Sequence, residues 1–135
     1  MADNRRIVQT DQAPAAVGPY SQAVVIEGEL LFCSGQIPLE PATGELIAGG
    51  AGEQTTRCLQ NLDAVCREAG TSLSNAVRVG VFCTDLAGDW AEVNSAYEAF
   101  FADGGSPPPA RAAVGVAALP KGARVEIEAV VACPR

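Results

Sequence analysis

Apolar residues along this chain recur with two different periods, and each change of period marks a new element. Val24 to Ile26 and Leu30 to Ser34 are short, partly β-branched apolar runs separated by Glu27, Gly28 and Glu29, with the glycine free to take positive φ, which predicts a hairpin. The stretch from Pro38 to Gly52 carries Pro41, a Thr43-Gly44 turn signal and a glycine-rich end, so a long surface loop is expected there. From Glu53 to Ala69 the period becomes helical: Leu59, Leu62, Cys66 and Ala69 fall on one stripe, and Gly70 is placed to end the helix. Val77, Val79, Val81 and Cys83 then alternate with Arg78, Gly80 and Phe82 as a strand with one apolar face.

A second helix is expected to open with Asp89 as its N-cap and Glu92 three residues on, burying Trp90, Val93, Tyr97 and Phe101. Pro107, Pro108 and Pro109 force an extended lead into a strand that starts at Ala110-Arg111 and reaches about Val116. The last strand, Arg124 to Ala132, alternates Val125, Ile127, Ala129 and Val131 with Arg124, Glu126, Glu128 and Val130. With a further short strand at Arg6 to Gln9, this order predicts an α/β (α+β) fold: a single mixed sheet with two helices packed on one face. At 135 residues, residues 1–135 are read as one domain with one core.

Composition narrows the chemistry. A net charge of −7 and scattered cations oppose contact with phosphate backbones or anionic lipid, so neither nucleic acid nor membrane is expected as a partner. No apolar stretch approaches the roughly 18 residues a bilayer span needs, and no apolar run follows Arg5-Arg6, so a cytoplasmic protein is expected. The five cysteines lack a C-x-x-C pair and read as free thiols, and with no histidine in the chain no metal site is expected. The absent histidine also excludes the usual triads and histidine-based RNA cleavage.

Catalysis must then use carboxylate, hydroxyl, arginine or backbone groups. Arg111 can hold a substrate carboxylate in two parallel hydrogen bonds, Glu128 can hold and polarise a water, and Ser34-Gly35 stands at a strand end. The same residues equally suit solvated strand ends, and periodicity alone does not separate the two.

A resemblance weights the choice. The segments from Ala13 to Ala23 (APAAVGPYSQA), Cys33 to Pro38 (CSGQIP), Thr43 to Glu45 (TGE), Val93 to Phe101 (VNSAYEAFF), Pro109 to Arg111 (PAR) and Leu119 to Ala129 (LPKGARVEIEA) together resemble the Rid family of enamine/imine deaminases across nearly the whole chain. The resemblance implies a chorismate-mutase-like fold and a homotrimer with sites between subunits. It implies a hydrolytic deaminase of 2-imino acids, like 2-iminobutanoate/2-iminopropanoate deaminase, that releases a 2-oxo acid and ammonia without a cofactor. By position, Arg111 would bind the carboxylate, Glu128 would hold the water, and Tyr20, Ser34, Gly35 and Asn94 would line the pocket. Many deaminating members carry cysteine where this chain has Ala113, which puts substrate preference in question. A ribonuclease or translation inhibitor, as some members have been labelled, and a non-catalytic binder of small carboxylates are the competing readings.

Overall fold

A computed structural model describes residues 4–134 of the chain. Its elements run β1 (Arg5–Val8), β2 (Ala23–Ile26), β3 (Glu29–Gln36), α1 (Ala51–Glu68), β4 (Ala76–Cys83), α2 (Leu86–Ala102), β5 (Ala110–Gly115) and β6 (Val125–Cys133), with short 3₁₀ turns before β4 and β6. Four strands form a mixed sheet in the order β3-β6-β4-β5, in which only β4 and β5 are parallel. Parallel neighbours require a crossover, which α2 supplies.

Both helices lie on one face of this sheet, as the pattern predicts. Cys58, Leu59, Leu62 and Cys66 of α1 and Val93, Tyr97 and Phe101 of α2 pack on Val79, Val81 and Cys83 of β4 and Val125, Ile127, Ala129 and Val131 of β6. All are buried, and each large aliphatic side chain among them contributes on the order of 1.5–3 kcal/mol. Gly70, at φ +87°, ends α1: its N–H bonds to the Arg67 carbonyl and that of Thr71 to the Cys66 carbonyl, which satisfies two terminal acceptors.

Four local expectations are corrected. The hairpin of β2 and β3 does not form: β2 pairs antiparallel with β1, and β3 pairs with β6. Gly28 does take positive φ, but the eight-residue β3 gains more against the nine-residue, core-backed β6 than against a four-residue strand. The N-cap of α2 is Asp85, whose carboxylate accepts from the Gly88 N–H, and not Asp89. Asp89 is buried in the first turn, where Arg124 grips it through Nη2 at 2.5 Å and Nε at 3.2 Å. Arg124 therefore lies just before β6 and is tied to α2 on the helix side, instead of sharing a face with Glu126 and Glu128. Finally, an irregularity between Ala76 and Arg78 shifts the phase of β4, so Ala76 is buried in place of Val77.

Candidate active site

Arg111 leaves the second position of β5 toward α2. Its Nη1 donates to Asn94 Oδ1 at 2.8 Å, and its guanidinium carbon lies 5.3 Å from the ring centre of Tyr20, 5.0 Å from that of Trp90 and 4.7 Å from that of Tyr97. Three rings and one amide hold the planar cation, and its partial burial lowers its pKa by desolvation while leaving it charged. Helical spacing explains the cluster on α2, since Trp90, Asn94 and Tyr97 are four and three residues apart and share a face.

Tyr20 arrives from a distant loop by a specific tether. The buried Ser21 donates its N–H to the Pro109 carbonyl at 3.1 Å and its hydroxyl to the Pro108 carbonyl at 2.5 Å. The proline lead into β5 thus fixes Arg111 and Tyr20 together. Gly18 lies close enough that a Cβ there would stand 3.4 Å from Arg111 Nη2.

The carboxylates of β6 lie elsewhere. Val125, Ile127 and Ala129 face the helices, so Glu126 and Glu128 project from the open face of the sheet, opposite Arg111. On β3 the pairing jumps from Cys33↔Ala129 to Gln36↔Ile127, so Ser34 and Gly35 together stand across from Glu128. The Glu126 carboxylate rests against Gly35, where a Cβ would fall 2.3 Å from its Oε2. Glu128 leans the other way, onto Gly80, with its Oε2 3.9 Å from Arg78 Nη1. A small cavity of about 150 Å³ beside Glu128 is lined by Phe32, Cys33, Arg78, Ala129 and Val130.

Comparison with known proteins gives this two-faced arrangement a lineage. A family model described as endoribonuclease L-PSP matches residues 10–133. The chain belongs to the Rid, or endoribonuclease L-PSP, family. RutC family protein y4sK of Sinorhizobium fredii is 55% identical over 124 residues, covering 92% of this chain and 94% of that protein. The 2-iminobutanoate/2-iminopropanoate deaminase of Homo sapiens is 44% identical over 126 residues, 93% of this chain and 88% of the relative. Among solved structures, the Rid family protein YyfB from Yersinia pestis superposes with a TM-score of 0.85 at 30% identity, covering 95% of this chain and 98% of its own. E. coli TdcF with bound serine matches with a TM-score of 0.72 at 41% identity, covering 93% and 97%.

On this Rid scaffold the residues expected at the site form two groups. Arg111, Asn94 and Tyr20 come together on the helix side, while Ser34, Gly35 and Glu128 lie on the open face, opposite one another in register although the Glu128 carboxylate leans away onto Gly80. Sequence reasoning assigned Trp90 and Tyr97 to the core alone, although both rings also bracket the arginine; their placement four residues before and three after Asn94, one helical turn to either side, was the available signal. The Tyr97 hydroxyl is buried without a hydrogen-bond partner, and burial raises its pKa. Burial likewise pushes the Cys58 and Cys66 thiols up to about 12, which removes both as nucleophiles. Among the described residues no group of three or more Cys, Asp or Glu side chains is gathered to hold a metal, and no helix is long and apolar enough to cross a membrane.

Proposed function

We propose that this chain hydrolyses 2-imino acids to 2-oxo acids and ammonia. The observation that carries the reading is the arginine held flat by Asn94 and three aromatic rings, with Nε and Nη2 left to take a carboxylate. The deaminase name of the human relative and the serine bound by TdcF support a substrate of amino-acid size and chemistry. In the reaction, water oxygen bonds to the imine carbon while a proton passes to nitrogen. The resulting carbinolamine expels ammonia and leaves the oxo group.

A carboxylate must hold that water, and within one chain both candidates lie across the sheet from Arg111. The site therefore needs a second copy, whose open sheet face brings the carboxylate to the arginine of its neighbour. The exposed apolar side chains Leu30, Phe32 and Val114 on that face support its burial between copies, and we assign a homotrimer. The family resemblance points by position to Glu128 for the water. The geometry supports Glu126 instead, because its carboxylate rests against Gly35 with no salt bridge among the described residues, whereas Arg78 partly offsets the charge of Glu128.

The test is release of 2-oxo acid from imine generated freshly by an amino-acid oxidase, measured above the spontaneous rate. Glu126→Gln should lose kcat by roughly a hundredfold or more, and Glu128→Gln should lose much less. No acceleration by the wild-type chain sinks the reading, and cleavage of RNA in its place would favour the ribonuclease alternative.

A further inference from the structure

An apolar cleft of about 420 Å³ opens beside Arg111, between the start of α2 and the edge strand β5, walled by Leu86, Ala87, Trp90 and Ala113. Its size falls within the range of small-molecule sites. It is continuous with the arginine cluster through Trp90, whose ring lies under the guanidinium and also forms a wall of the cleft. Ala113 follows Arg111 by two residues on the same face of β5, a step of about 7 Å along the strand. The span from the carboxylate carbon of a 2-imino acid to the far edge of a benzyl side chain is similar.

The walls decide what the cleft accepts. Two of the four residues are alanines, and a larger side chain at either would fill the space. None of the four carries a charge, and the Trp90 ring offers a face for stacking. A polar or charged substrate side chain would lose its water here without finding hydrogen-bond partners on these walls, whereas an apolar one gains by leaving water.

We propose that this cleft receives the substrate side chain, so that the chain prefers 2-imino acids bearing large apolar or aromatic groups to the alanine-derived imine. The inference rests on the hydrolytic reading above and names the substrate class of that same site. Two imines, generated in place from phenylalanine and from alanine by an amino-acid oxidase, provide the test, with 2-oxo acid release read against the spontaneous rate. The wild-type kcat/KM should be at least about tenfold higher for the phenylalanine-derived imine, the scale expected when a hydrophobic pocket is filled. Ala87→Leu, which narrows the cleft from an exposed position, should cut the ratio of the two kcat/KM values about tenfold. Turnover of the alanine imine with none of the phenylalanine imine overturns the inference and leaves the hydrolytic reading standing, and so does an unchanged ratio in Ala87→Leu. Turnover of neither overturns both.

Discussion

Replacing Arg111 by lysine keeps the positive charge and removes the fork, which isolates what the geometry adds. In the folded chain Nη1 is committed to Asn94 at 2.8 Å, and the planar group is bracketed by Tyr20, Trp90 and Tyr97. A lysine ammonium offers a point charge that can satisfy Asn94 or one carboxylate oxygen, and it loses the second, parallel bond to the carboxylate. A charge-assisted hydrogen bond contributes about 1.5–3 kcal/mol, so its loss lowers kcat/KM by roughly ten- to 150-fold. Some further loss is expected because the flexible lysine stem is not held flat by the rings. Arg111 is only half-buried and sits on an edge strand, so the melting temperature should move by no more than a few degrees. The assay is oxo-acid release across a range of imine concentrations, with a thermal melt as control. Turnover within about twofold of wild type, in a folded variant, would refute the role given to the fork.

Gly35→Ala would place a Cβ 2.3 Å from Glu126 Oε2 and so displace that carboxylate; kcat should fall about tenfold or more with little change in the melt, and an unaffected kcat would remove Glu126 from the reaction. Light scattering at micromolar concentration should report three chains, and a monodisperse monomer would contradict the shared site. Because burial holds Cys58 and Cys66 near about 12 when folded, the unfolded chain releases its thiol protons first as pH climbs past about 9. With fewer protons on the unfolded state, stability falls as pH rises, by up to about 1.4 kcal/mol per unit for each thiol between about 9 and 12. Urea midpoints that coincide at about pH 8 and about pH 10 would count against that burial.

How much of this could be read from the chain follows from the range of the interactions involved. The two helices, β4, β5 and β6 announce themselves through local periodicity and terminal glycines, and most of each expected core stripe is buried; Ala69, which caps α1, is exposed, and Val77 and Trp90 are only half-buried. Strand partners did not follow, because the pairing of β1 with β2 and of β3 with β6 is decided by what each strand finds across the fold. The misplaced N-cap has a similar cause: Asp85 and Asp89 both suit a cap, and only the distant Arg124 draws Asp89 inside. At the site, residue types were legible, but which sheet face each occupies was not. Glu126 and Glu128 hold equivalent positions in the alternating pattern, and what separates them is their neighbours Gly35, Gly80 and Arg78 on other strands.

Mixed oligomers test the shared site most directly. Arg111→Lys and Glu126→Gln, each impaired by roughly tenfold or more alone, should be unfolded together in equal amounts and refolded. If each site takes its arginine from one chain and its carboxylate from a neighbour, about one quarter of the sites in random trimers are intact, so imine hydrolysis should return to about a quarter of the wild-type rate. A mixture no more active than its parents would contradict the account.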